Sequence, residues 1–203
     1  VLTNLALPAD RPHETFHCGT CTACLDACPT DAFPQPGVLD ATKCISYLTI
    51  EHRSAIPHEL REGIGRWLFG CDVCQQVCPW NEKQVRHLKP SLAIDDPLQS
   101  LDLAELFGLD DEAFRARFRQ TPLWRSRRRG ILRNAAIVLG NQRNTAAVAA
   151  LTAGLNDPEP LVRGACAWAL GQFETEAARF ALRERLAVED DDAVRLEIQM
   201  QRP

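Results

Sequence analysis

The chain has 203 residues, 45% of them hydrophobic, with 23 basic and 27 acidic side chains and a net charge of −4. That length holds one or two domains, and the composition is that of a globular protein rather than a disordered or fibrous one. No apolar run is long enough to span a bilayer and no signal-peptide pattern is seen, so a cytoplasmic location is expected. The only methionine is Met200, so Val1 is not a translation start, and the chain is expected to be a fragment or one trimmed at its front.

Eight of the nine cysteines fall into two runs. The first is Cys18-Gly-Thr-Cys21-Thr-Ala-Cys24-Leu-Asp-Ala-Cys28-Pro29. The second is Cys44, then Cys71-Asp-Val-Cys74-Gln-Gln-Val-Cys78-Pro79. C-x2-C-x2-C-x3-C-P is the bacterial ferredoxin spacing, in which the fourth cysteine ligates the other cluster. Three cysteines at steps of three lie on one tight loop and reach three corners of a cluster. The fourth has turned onto a helix and points away. Two 4Fe-4S clusters are therefore expected, one on Cys18, Cys21, Cys24 and Cys78, the other on Cys28, Cys44, Cys71 and Cys74. A perfect second copy would place cysteine at position 68, which is Leu68. Cys44 is the natural substitute, and residues 45–70 then read as an insertion between two ligands. Zinc is the competing reading, but paired C-x2-C units with tetrahedral closure leave a third cysteine in each run without a role. Disulfides belong to small secreted chains. Cys166, in an Ala-rich stretch, reads as a buried small apolar side chain.

Short helices are predicted near Cys24–Cys28 and Cys74–Cys78, and a small hairpin around Asp31–Asp40. Gly37 to Cys44 reads as a short strand, and Ile45–Glu51 as strand-like. Pro57, in a favoured first-turn place, opens a helix to about Leu68. Residues 1–92 thus read as a ferredoxin-like two-cluster module of α+β class. Lys89-Pro90 through Asp96-Pro97 reads as a linker. Ser100 caps a short helix, Leu101–Phe107, ended by Gly108. Asp110 or Asp111 caps another, with Phe114 and Phe118 four apart on one face. Thr121-Pro122 opens a third.

From there the chain repeats. Leu132-Arg-Asn-Ala-Ala-Ile-Val-Leu-Gly-Asn141 matches Val162-Arg-Gly-Ala-Cys-Ala-Trp-Ala-Leu-Gly-Gln172, and a degenerate copy surrounds Arg195. Acidic turns, Asn156–Pro160 and Glu189–Asp192, precede the second and third copies. This is a helical-hairpin repeat that resembles short HEAT-type repeats, with each arginine expected to bond a turn. Residues 93–203 are therefore expected to be linker and all-α repeats. Charge is uneven as well. Between Ala113 and Asn156 lie nine arginines and no acid, leaving 14 of the 23 basic residues to face all 27 acids. A polyanion partner would explain the bias.

The displaced first ligand, the stretch Cys44-Ile-Ser-Tyr-Leu-Thr-Ile-Glu51, the run Phe69-Gly-Cys-Asp-Val-Cys-Gln-Gln-Val-Cys-Pro-Trp-Asn81 and the HEAT-like tail together resemble epoxyqueuosine reductases. The resemblance covers essentially the whole chain and implies a missing N-terminal half that binds cobalamin and carries the catalytic acid. No catalytic residue is assigned to this chain. The resemblance implies electron entry through the clusters, reduction of cobalamin, and conversion of epoxyqueuosine to queuosine in a tRNA anticodon stem-loop. It also implies a donor such as a flavodoxin or ferredoxin; a monomer and no membrane partner are expected. Ser46 and Asp72, beside the ligands, would face the corrinoid or else hydrogen-bond the ligand loops. His17 reads as neighbouring a ligand rather than being one, and Trp80 as packing over a cluster. Arg127, Arg128 and Arg129 are the expected tRNA phosphate contacts, whereas Arg133 is expected to be structural. Two alternatives remain: a plain ferredoxin-type electron-transfer module with a protein-binding repeat, or a corrinoid reductive dehalogenase relative. A small organohalide would need neither the repeat nor the arginines.

Overall fold

The computed structural model describes residues 3–12, 14, 18–81 and 101–201. His17, the linker from Lys89 to Pro97, and Ser100 lie outside them. Among the described residues the chain is helical, and the only β feature is an isolated antiparallel bridge between Gln35 and Val38. The ferredoxin-like α+β expectation is therefore overturned. Pro34 and Pro36 lack the N–H that a ladder needs. Asp40 spends its carboxylate on the Thr42 N–H and hydroxyl (3.0 and 2.6 Å), closing a local turn where a strand was expected.

The strand-like reading of 45–51 fails for a different reason. Helix α2, Ile45–Ile50, buries Ile45, Leu48 and Thr49, a spacing of three and four. Tertiary burial of that stripe overrides the β-branched composition. Helices α1 (Ala23–Asp26) and α4 (Val73–Gln76) are single turns that pack on each other. Helix α3, His58–Ile64, follows Pro57 as expected but stops four residues early, because Gly65 adopts a positive φ of 57°.

The expected helix over Leu101–Phe107 is only a 3₁₀ turn, Glu105–Gly108. Helix α5, Asp111–Phe118, is capped by Asp110, which accepts from the Ala113 N–H at 2.8 Å. A second 3₁₀ turn, Pro122–Ser126, leads into α6, Arg127–Gln142. Helices α7 (Val148–Gly154), α8 (Pro160–Leu170), α9 (Glu176–Val188) and α10 (Asp192–Met200) complete the repeat stack. Its centre is the α6–α8 pair. Gly140 lets the two backbones meet: a Cβ there would sit 2.9 Å from the Ala169 Cα.

The repeat arginines act as ties. Arg163 donates to both Glu189 carboxylate oxygens (2.9 and 2.7 Å) and to the carbonyls of Asp157 and Pro158. Arg195 donates to the Glu189 carbonyl. Burial pushes the Glu189 carboxyl up, but hydrogen bonds from Arg163 and Arg185 outweigh it and hold it well below the usual carboxylate range. This contribution is complete above the unfolded glutamate value of about 4.3 and is lost as pH falls toward the lowered folded value.

Both side chains of the Arg163–Glu189 pair are buried, so breaking it leaves an uncompensated charge. Glu189→Gln is expected to destabilise the protein by about 3 kcal/mol at neutral pH. The variant should also unfold with a weaker acid dependence below about pH 4.5 than the parent, measured by chemical denaturation across pH.

Candidate functional site

The two ligand loops are conformational copies, offset by fifty positions. Thr22 has φ −116° and ψ 7°, and Asp72 has φ −121° and ψ 16°. Ala27 has φ −89° and ψ −9°, and Val77 has φ −85° and ψ −5°. The amide of Cys28 donates to the Leu25 carbonyl at 3.3 Å, and that of Cys78 to the Gln75 carbonyl at 3.4 Å. The equivalent of Cys18 is Leu68, as the spacing argument requires.

A cavity of about 350 Å³ opens between the loops. Cys18, Cys21, Cys24 and Cys78 line it, with Cys74 from the other set and Phe33, Pro79 and Trp80 as apolar wall. Cys18 and Cys21 are exposed; the other six ligand candidates are half-buried. Among the described residues no three His, Cys, Asp or Glu side chains form a group that could hold a single metal ion.

The second set meets around Cys71. Burial raises the Cys71 thiol first, and the neighbouring Cys74, Cys44 and Cys28 raise it further, against an opposing hydrogen bond from the Val73 backbone. Cys44 is the N-cap residue of α2, whose Ser46 is hydrogen-bonded to the Cys71 backbone. The Ala32 N–H donates to Cys28 Sγ at 3.3 Å. Such N–H···S bonds are among the groups that set a cluster's potential.

Helix α2 fixes this second loop. Ser46 Oγ accepts from the Cys71 N–H (2.9 Å) and donates to the Cys71 carbonyl (3.1 Å). Thr49 Oγ1 accepts from the Gly70 N–H at 3.0 Å. Ser46 is thus committed to the ligand loop. Asp72 is exposed at the start of α4 and its side chain makes no capping bond. Helix α3 braces the first loop: a Cβ on Gly63 would meet the Pro29 carbonyl oxygen at 2.7 Å.

The far end of α2 is held by the repeat. Arg133 donates to the carbonyls of Leu48 (2.7 Å), His52 and Ser54 (both 2.8 Å). Asn134 donates to the carbonyls of Thr49 (2.8 Å) and Leu68 (2.9 Å), and Ser126 to those of Thr49 and Ile50. Arg133 has no carboxylate partner among the described residues. Burial, then the charges of Arg53 and Arg129, lowers its guanidinium to about 10, so it stays a cation at neutral pH. The sequence anticipates a structural Arg133 but gives no sign of Asn134 or Ser126.

The arginine segment divides. Arg128 is buried and donates to the Leu109 carbonyl and to both oxygens of Asp157. Burial favours its neutral form, and Asp157 outweighs that. Arg128 is therefore corrected from a phosphate contact to an internal tie; its reach to an acidic turn 29 residues away hides this in the sequence. Arg115, Arg117, Arg119, Arg127, Arg129 and Arg143 are exposed. Arg125 pairs with Glu51, and Arg53 donates to the Arg125 carbonyl at 2.9 Å.

Residues 17–81 match the family described as 4Fe-4S double cluster binding domain, and residues 123–201 match HEAT repeats. An epoxyqueuosine reductase of Xanthomonas campestris pv. campestris is 44% identical over 85% of this chain and 48% of its own length. One of Bacillus subtilis is 38% identical over 98% of this chain and 51% of its own. A crystal structure of epoxyqueuosine reductase with an epoxyqueuosine-modified tRNA-Tyr stem loop aligns with a TM-score of 0.84 and 38% identity. It covers 96% of this chain and 52% of that one. The chain spans about half the length of these relatives, is similar to epoxyqueuosine reductases over nearly all of its own residues, and matches the di-cluster domain and the HEAT repeats.

Proposed function

We propose that the chain is the electron-relay and tRNA-docking portion of an enzyme that reduces epoxyqueuosine to queuosine in tRNA. The observation that carries this is the alignment, across nearly the whole chain, with a reductase that was crystallised with its modified stem loop. The arginine segment, with its exposed cations, supports it from the chain's own residues. The reaction consumes two electrons and two protons, and the epoxide oxygen leaves as water.

In this reading residues 1–92 form the di-cluster module and residues 93–203 the linker and repeats. Cys18, Cys21, Cys24 and Cys78 hold one cluster, and Cys28, Cys44, Cys71 and Cys74 the other. The donor set fits: eight thiols, two copied loops and a sulfur-lined cavity. When bound, the clusters supply one-electron transfer at low potential. The chain's residues hold the ligands in place, wall the first cavity with Phe33, Pro79 and Trp80, and donate an amide hydrogen bond to Cys28.

Cobalamin fits this portion poorly. Ser46 is occupied by Cys71, and Asp72 alone makes no pocket. We place the corrinoid with the rest of the protein, with Asp72 at most facing it. The electrons come from a small donor such as a flavodoxin or ferredoxin, and the protein works as a monomer in the cytoplasm. Exposed Arg127 and Arg129 contact the tRNA.

The test uses the intact protein, epoxyqueuosine-containing tRNA and a chemical reductant. Turnover is expected, and Cys44→Ala is expected to remove it while leaving tRNA affinity unchanged. About half of the roughly eight iron atoms should go with it. Full iron content in Cys44→Ala, where no side-chain donor replaces the thiolate, would show that Cys44 is not a ligand. Turnover by residues 1–203 alone at the intact rate would show that the active site lies within them. Arg129→Ala should weaken tRNA binding and lower the salt slope by about 0.7–0.9.

A further inference from the structure

The 3₁₀ turn Pro122–Ser126 and the start of α6 build a layered stack. Phe114 is fully buried at its base. Trp124 lies on it, with ring centroids 6.3 Å apart and planes 28° from parallel. The Arg127 guanidinium lies over the Trp124 ring, 4.1 Å from its centroid. Arg127 is exposed, and among the described residues it has no carboxylate partner. Its backbone sits at φ 59° and ψ 172°, a region that L side chains rarely adopt. The chain thus accepts an unfavourable backbone at the residue whose guanidinium is held on an aromatic ring.

Holding a guanidinium on a ring fixes its plane and leaves its outer face open. That is a poor way to present a mobile point charge to phosphate, and a good way to offer a flat surface. Arginine planes and aromatic rings are the surfaces on which proteins stack unpaired RNA bases. Trp124 also lines an open groove with Ile50, Glu51, Phe69, Pro122 and Arg125. Phe69 lies two residues before Cys71, so the stack flanks the approach to the second ligand loop. The surrounding exposed arginines supply the charge complementarity for a nucleic-acid strand.

We propose that Arg127, backed by Trp124 and Phe114, is a stacking platform for one unpaired nucleobase of the bound tRNA loop. It is a positioning residue rather than a phosphate contact. The inference rests on the tRNA reading above and adds which part of the RNA this residue meets.

Lysine separates the two roles, because it keeps the charge and loses the plane. The experiment measures binding of a labelled anticodon stem-loop to the intact protein across a salt series. Arg127→Lys is expected to weaken binding about tenfold, the scale of one stacked base, with the salt slope preserved. Trp124→Leu should weaken it similarly with every charge intact. Among stem-loops each carrying one abasic loop position, one should bind the parent and Arg127→Lys equally. Cluster absorbance and the unfolding midpoint of Arg127→Lys should match the parent. Parent-like affinity of Arg127→Lys, combined with a flattened salt slope in Arg127→Ala, would overturn the platform and restore a phosphate contact. So would a lysine penalty that survives at every abasic position. If the parent protein did not bind the stem-loop at all, the tRNA reading itself would fall, and this inference with it.

Discussion

The site depends on how the last carbonyls of one short helix are bonded. Helix α2 begins at Cys44 and holds the Cys71 backbone through Ser46. Its other end points unpaired carbonyls away from the ligand loop, as every helix C-terminus must. Arg133, Asn134 and Ser126 of the repeat supply the missing donors. A buried arginine without a carboxylate is costly unless its N–H groups are satisfied. Here five bonds to carbonyl and amide oxygens satisfy it, at the negative end of a helix. The HEAT-like stack is therefore a foundation for the second ligand loop.

The same economy governs other buried arginines. Arg163 closes on Glu189, and Arg128 on Asp157. These buried pairs fix the turns between helices, and their loss would leave a charge in a dry interior. Arg61 ties α3 to α10 through Glu197 at 3.0 Å and lies over Trp168. The insertion between Cys44 and Cys71 is thus clamped at both α2 and α3. Part of the arginine excess is architecture, and the exposed remainder is what a polyanion could meet.

The di-cluster pattern was legible because ligand chemistry fixes spacing directly. Copied loop geometry at Thr22–Cys28 and Asp72–Cys78 is the three-dimensional form of that spacing. The repeat was legible through its recurring arginine and acidic turn. The strands were not, because Ile45-Ser-Tyr-Leu-Thr-Ile50 carries β-branched residues whose fate is decided by what they pack against. Pro34 and Pro36 were the available signal against a hairpin. Arg128 misled for a related reason: a long cationic side chain looks the same in sequence whether it faces water or an aspartate in a later turn. Asn134 gave no signal, since its partners are backbone carbonyls.

The central claim is that the repeat helix holds the second ligand loop through α2. Asn134 bonds both Thr49 and Leu68, on either side of the insertion, and is fully buried. The direct measurement is iron content and reduced-state spin count of Asn134→Ala in the intact protein, reconstituted anaerobically. The account predicts selective loss of one cluster, the one proposed on Cys28, Cys44, Cys71 and Cys74, with the other retained. Both clusters present at parental occupancy and parental stability would contradict it.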